Sequence, residues 1–83
     1  MMFYVYAIIS ITDRIYIGQT GNLEVRLKQH NAGTVKSTKS DRPWTFLKTE
    51  EFSTREEARF FEWSLKRSMG KRKRWIGYAP EGR

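Results

Sequence analysis

Phe3-Tyr4-Val5-Tyr6-Ala7-Ile8-Ile9-Ser10-Ile11-Thr12-Asp13-Arg14-Ile15-Tyr16-Ile17-Gly18 is the stretch on which the fold turns. Residues 3–10 and 15–17 are rich in β-branched and aromatic side chains, which suit a pleated, half-buried surface. Thr12-Asp13-Arg14 between them is polar and turn-forming, so the stretch predicts a β-hairpin. Loop length then decides which side chains share a face. A three-residue loop puts Tyr6 and Tyr16 on one face of the sheet, and a two-residue turn puts them on opposite faces.

Working outward, Gly18, Gly21 and Asn22 end the second strand. Asn22 is a candidate N-cap for a helix from Leu23 to about His30, and Gly33 stands where a helix C-terminal glycine belongs. Thr34 to Arg42 is polar and basic and is closed by Pro43, the signature of a loop. Trp44 to Phe52 reads as a third strand, with Trp44, Phe46 and Leu47 supplying apolar surface. Ser53-Thr54-Arg55-Glu56 matches an S-x-x-E capping box, predicting a helix to about Ser68 that Gly70 ends. The basic run Lys71-Arg72-Lys73-Arg74, then Trp75-Ile76 and a tail containing glycine and proline, forms a short helical or irregular C-terminal segment. The expected fold is α/β of the α+β type. It has a small three-stranded antiparallel sheet flanked by helices, in the order β-β-α-β-α. With no repeat, linker or low-complexity segment, residues 1–83 read as one domain, its core at about 3–67 and a basic segment at 68–83.

The length of 83 residues allows a single small core, since a domain of this size buries only about 60–65% of its unfolded surface. Zero cysteines exclude a disulfide framework and a thiolate zinc site. That suits a soluble, cytoplasmic protein that folds on packing alone. The longest apolar run, Val5 to Ile9, is far short of the roughly 20 residues that cross a bilayer, and it lacks a signal peptide's basic flank. Sixteen Lys and Arg against nine Asp and Glu give a formal charge of +7. Such a field attracts polyanions: nucleic acid first, an anionic membrane surface second. The aromatic share of 14% suits either a tight core or base stacking.

Both predicted helices break the expected pattern. In the first helix Leu23 and Leu27 make an apolar stripe, and at about 100° per residue Arg26 and His30 lie on its flank. Either Arg26 snorkels along the edge and His30 is a satisfied boundary histidine, or both serve a site. In the second helix Ala58, Phe61, Leu65 and Met69 form the stripe and Glu62 lies inside it. A desolvated carboxylate costs several kcal/mol unless it is paired. Glu62 therefore meets a cation from another element, such as Arg26 or a lysine, or binds a metal, unless the stripe's centre is merely shifted. Phe60 and Trp63, opposite the stripe, are expected to pack under the C-terminal segment with Trp75 in preference to stacking on bases.

These pieces resemble a known pattern. Tyr4-Val5-Tyr6 followed by Ile15-Tyr16-Ile17-Gly18 is similar to the paired signature of the GIY-YIG nuclease superfamily. Gln19-Thr20-Gly21-Asn22-Leu23, Arg26-Leu27, His30-Asn31 and Glu62 then follow in the family's order. The likeness spans roughly residues 3 to 67. It is nearest to small stand-alone bacterial members related to the catalytic domain of the excision-repair incision subunit. Tyr4 stands where the motif name has glycine, and nothing resembles an appended DNA-recognition domain.

The resemblance implies a metal-dependent endonuclease that hydrolyses nucleic-acid phosphodiesters, DNA ahead of RNA, with little sequence specificity of its own. A repair role follows by analogy of fold alone. It further implies that Glu62 ligates one Mg²⁺ or Mn²⁺, that Arg26 holds the scissile phosphate, and that Gly18 serves the motif's backbone. Tyr6 or Tyr16 would position and deprotonate water, and His30 would orient a tyrosine or relay a proton. Tyrosine ordinarily titrates near 10, so that role needs nearby cations such as Arg26, the metal or Lys39. Lys36, Lys39 and Arg42 form a candidate rim for binding the nucleic-acid backbone. Lys71, Arg72, Lys73 and Arg74 could track further phosphates or simply be solvated. A protein partner supplying specificity is compatible with the same pattern, as is a non-catalytic nucleic-acid-binding or protein-interaction module on the same fold.

Overall fold

The structure, a computed structural model, describes residues 1–77; the tail from Tyr78 onward lies outside the described residues. Its elements are β1 (Phe3–Ser10), β2 (Ile15–Thr20), α1 (Leu23–Ala32), a single 3-10 turn (Lys39–Asp41), β3 (Trp44–Phe52), α2 (Arg55–Arg67) and α3 (Met69–Ile76). The three strands form an antiparallel sheet in the order β2-β1-β3. The α+β architecture is as expected, and the C-terminal segment is a third helix through Ile76.

The hairpin loop has three residues, but they are Ile11-Thr12-Asp13, one earlier than expected. Ser10 closes the turn by donating its N–H to the Arg14 carbonyl at 2.9 Å, and Asp13 N–H donates to the Ser10 carbonyl at 3.0 Å. Asp13 takes the left-handed conformation, φ 67°, which suits a residue that follows a tight turn in a three-residue hairpin. The odd count survives the shift. Tyr6 pairs with Gly18 and Ile8 with Tyr16, so both tyrosines share a face.

Strand alternation sorts the side chains onto two faces. Tyr6, Ile8 and Trp44 are buried on one, packed by Tyr16, Leu23 and Leu27, so α1 covers this side. Val5, Ala7 and Ile17 are buried on the other with Ala58 and Leu65 of α2, flanked by Phe52, Phe61, Trp75 and Ile76. A bulge in β3 leaves Leu47 without a partner on β1, because Ala7 pairs with Lys48 and Ile8 with Phe46. That extra residue lets Leu47 join the α2 core while Phe46 packs against Tyr6 on the α1 face.

The helix boundaries have local causes. Asn22 caps α1 by accepting from the Val25 N–H, and Gly33 ends it at φ 82°. The capping box of α2 is one residue later than expected: Thr54 accepts from the Glu57 N–H at 3.1 Å, and Glu57 accepts from the Thr54 N–H at 3.2 Å. Gly70 does not end α2. Ser68 ends it in an extended conformation and at once caps α3 by accepting from the Lys71 N–H, so Gly70 lies inside α3. Met69 belongs to α3 and is 61% exposed, which removes it from the expected stripe. Asn31, at the end of α1, holds the start of β3. Its amide accepts from the Trp44 N–H at 2.7 Å and donates to the Trp44 carbonyl at 3.0 Å.

Candidate active site

Tyr6 is the hub of the α1 face. It is 1% exposed, and its phenol receives the Arg26 Nε–H at 3.4 Å and meets His30 Nε2 at 2.8 Å. His30 is fully buried, and its Nδ1 lies 2.8 Å from Thr38 Oγ1. The Thr38 hydroxyl donates to the Val35 carbonyl at 3.3 Å. Thr38 Oγ1 is therefore the acceptor for His30 Nδ1–H, which leaves Nε2 to accept the Tyr6 hydroxyl proton. The result is a directed chain from Arg26 through Tyr6 and His30 to Thr38. The Thr38 carbonyl in turn accepts from Trp44 Nε1–H at 2.9 Å, which fixes the loop beneath the site.

Burial pushes the Tyr6 phenol above its ordinary pKa; the Arg26 hydrogen bond and charge oppose this, and Tyr16 and Glu62 add to it. Desolvation of Tyr6 thus outweighs the opposing effect of Arg26. Burial, and then the charge of Arg26, push His30 below its ordinary value. The Arg26 guanidinium is held above its own, first by its hydrogen bond to Tyr6, with Tyr16 contributing less. Its Nη1–H also donates to Gln29 Oε1 at 2.9 Å, which fixes the direction of the fork.

Tyr16 is half-buried, with its ring centroid 6.4 Å from that of Tyr6 and 5.1 Å from that of His30. Gly18 explains how the two phenols pack so closely. A Cβ there would lie 2.6 Å from the Tyr6 hydroxyl oxygen and 3.1 Å from Tyr16 Cε2. Gly18 serves the site by lacking a side chain.

Glu62 reaches the same region from the opposite side of the sheet. Its side chain is 18% exposed and its carboxylate is paired at 2.8 Å with Lys66, one turn on. The Lys66 ammonium is 5.9 Å from the Tyr16 ring centroid. Glu62 thus does meet a cation, but from its own helix and not from another element. Lys66 was not singled out from sequence, although its i,i+4 spacing to Glu62 was the available signal. Thr38 was missed as well, and Asn31 was noted only as part of the motif, because their partners are remote in sequence.

Tyr6 touches Tyr16, Arg26 and His30, Tyr16 also touches His30, and the charge of Glu62 acts on Tyr6. The basic residues divide. Lys36 and Lys39 are exposed in the loop after α1. Arg42 Nε donates to the Lys39 carbonyl at 2.8 Å, and its guanidinium lies over Gly33, where a Cβ would come within 2.7 Å of it. Lys71 donates to Ser64 Oγ at 2.7 Å and covers the Phe61 ring at 5.1 Å, joining α3 to α2. Arg72 is half-buried, and Lys73 and Arg74 are exposed. The expectation for Phe60 and Trp63 is overturned. They are 68% and 52% exposed, while Trp75 packs on Phe61 with centroids 5.5 Å apart and donates to Glu50.

The donors facing this region are oxygens: one carboxylate and two phenols. Among the described residues no three His, Cys, Asp or Glu side chains gather as a metal site. This set fits a hard cation held through one carboxylate, water and substrate phosphate; it does not fit a dedicated multi-ligand cage. Among the described residues no helix is long and apolar enough to cross a membrane.

Comparison with known proteins converges on one family. The profile described as the GIY-YIG catalytic domain matches residues 2–75. The UPF0213 protein SH2523 of Staphylococcus haemolyticus is 39% identical over 64 residues, covering 76% of this chain and 78% of that one. The UPF0213 protein RBAM_000440 of Bacillus velezensis is 34% identical over 71 residues, covering 84% of this chain and 72% of that one. The solution NMR structure of the UPF0213 protein BH0048 of Bacillus halodurans aligns with a TM-score of 0.59 at 27% identity, over 99% of this chain and 89% of that one.

Proposed function

The chain belongs to the GIY-YIG family, a nuclease superfamily, and from that premise we propose that it is an endonuclease that hydrolyses nucleic-acid phosphodiesters, DNA ahead of RNA, with one Mg²⁺ or Mn²⁺ held by Glu62. One observation carries the reading. Arg26 on one face of the sheet bonds Tyr6 and acts on Tyr16 of the edge strand β2, while on α2 Glu62 pairs with Lys66, whose ammonium lies 5.9 Å from the Tyr16 ring centroid. A cation-binding and an anion-binding group flanking a phenol are what attack by water on a phosphodiester requires.

Arg26 holds the scissile phosphate, its planar fork matching two phosphate oxygens. Tyr6 and Gln29 aim that fork. Tyr16, the less buried phenol, releases its own proton to solvent and as the phenolate orients the attacking water and takes its proton. Tyr6 is the positioning residue, kept protonated by burial and by the neutral His30 that accepts its hydrogen bond. The cation, when bound, would polarise the phosphate and stabilise the leaving oxygen. The exposed Lys36 and Lys39 contact flanking phosphates. The net charge of +7 supports a polyanionic substrate.

A second reading, a nucleic-acid-docking module without turnover, draws on the Glu62–Lys66 pair, which satisfies the carboxylate within the chain. The deciding experiment incubates the protein with single-stranded, duplex and branched DNA in Mg²⁺, Mn²⁺ or EDTA, with Glu62→Ala and Tyr16→Phe alongside. The nuclease reading expects metal-dependent cleavage that each variant lowers by about 10²-fold or more. Cleavage that persists in EDTA or in Glu62→Ala sinks the one-metal mechanism. Binding without cleavage of any substrate favours the docking module.

A further inference from the structure

Phe60 and Trp63 are the largest side chains that the fold leaves in solvent on α2, at 68% and 52% exposure. The buried positions of the helix are Ala58 and Leu65, and Phe61 carries the contacts to Phe52 and Trp75, so the core has no use for this pair. They are nonetheless ordered against each other. The rings lie 5.8 Å apart, tilted by only 29°, and the Arg67 guanidinium sits 4.7 Å from the indole centroid. A cation on an aromatic face beside a second ring is a flat, positively charged surface.

The chemistry around the pair favours one kind of occupant. At helical spacing Arg59, Lys66 and Arg67 lie one turn before or after Trp63, and Glu56, two turns back, is the acid on that face. Lys66 also pairs with Glu62 and lies 5.9 Å from the Tyr16 ring centroid, so it stands between the candidate active site and the indole. Glu62 and Trp63 are consecutive, and about 100° of helical rotation separates them. One turn of α2 therefore aims a carboxylate at the sheet edge and an indole at solvent.

We propose that Phe60, Trp63 and Arg67 form a stacking platform for unpaired bases of a nucleic-acid strand whose backbone passes Lys66 to the active site. The proposal rests on the nuclease reading for the direction of the strand and adds its substrate class: a strand unpaired beside the scissile phosphate. Bases in a duplex are stacked on each other and offer no face to the indole, whereas every unpaired base does.

The test measures binding in EDTA, where cleavage plays no part, using fluorescence anisotropy of a labelled oligo-dT strand and of a duplex of equal length. Trp63→Ala, Trp63→Phe and, as a bystander at the exposed hairpin turn, Ile11→Ala are compared with the wild type. Circular dichroism confirms that each variant is folded. Loss of one stacked base weakens binding by roughly 5- to 150-fold. Trp63→Ala is expected to lose at least about fivefold on oligo-dT and less than about twofold on duplex. Trp63→Phe should restore most of the loss, and Ile11→Ala should match wild type. Equal losses on both ligands, no loss, or no oligo-dT binding by the wild type overturns the platform. So does sedimentation showing that Trp63→Ala abolishes self-association and leaves strand binding intact, which assigns the patch to a second copy. The two readings fail separately. Trp63-dependent strand binding by a protein that cleaves nothing sinks the nuclease and keeps the platform; an active enzyme indifferent to Trp63→Ala does the reverse.

Discussion

At the scale of single residues, Gly18 shows how a motif position can act by what it omits. Its partner across the hairpin is Tyr6, whose phenol is pinned by Arg26 and His30 and has no room to retreat. Gly18→Ala is therefore expected to cost about 1–3 kcal/mol by overpacking, read as a lower urea midpoint. An unchanged midpoint would falsify the close approach of Tyr6 to this backbone. Asn22 and Gly33 were legible in the sequence because each depends on neighbours a few residues away, whereas the parity of Tyr6 and Tyr16 hung on a loop length that the sequence left open. That His30 orients a tyrosine was implied by the family resemblance, but its pairing with Tyr6 and Thr38 in particular joins residues 24 and 8 apart, through a sheet face that no local pattern specifies. Glu62 was visible as an anomaly, yet its partner was sought on another element when Lys66 was one turn away.

Among the elements, α2 illustrates a frame that local sequence leaves undetermined. Ser53 and Thr54 each have a glutamate three residues on, Glu56 and Glu57. Both frames satisfy the capping rule; Thr54 and Glu57 form the box. Ser53 is left with a side-chain contact to Glu57 at 3.1 Å. Thr54→Ala should lower stability by about 1 kcal/mol, a fall in Tm of roughly 4–8 °C for a domain of this size. Ser53→Ala should lower it by clearly less, and equal losses in a thermal melt refute the assignment. The break between α2 and α3 was misread for a related reason. Gly70 carries a stop signal, but Ser68 had already ended one helix and capped the next.

For the whole molecule, the sheet is the frame and the candidate site lies at its open edge, with groups drawn from both covering helices. Element order was readable from sequence. The side of the sheet each helix takes was not, since that depends on the packing of the finished core. The buried His30 ties global stability to pH. It is the single histidine of the chain, and its folded pKa lies below the ordinary value of about 6.5. In the interval between, the unfolded chain holds the extra proton, so stability rises with pH. It is complete above about pH 6.5 and is lost as pH falls through the folded value. The groups that face it are Tyr6, Tyr16, Arg26 and Thr38. Urea unfolding between pH 7.5 and 5 should trace this decline in wild type, and His30→Gln should flatten it; matching slopes would contradict a neutral buried imidazole. The sheet has a second open edge at β3, and there the Asn31 amide has another consequence. It occupies both backbone groups of Trp44, so the first residue of that edge is already paired as if by a further strand. Lys48, Glu50 and Glu51 set charges along the rest. A neighbouring chain meets a margin where hydrogen bonding is taken at one end and charged along its length, which guards a small domain against joining its copies into a continuous sheet.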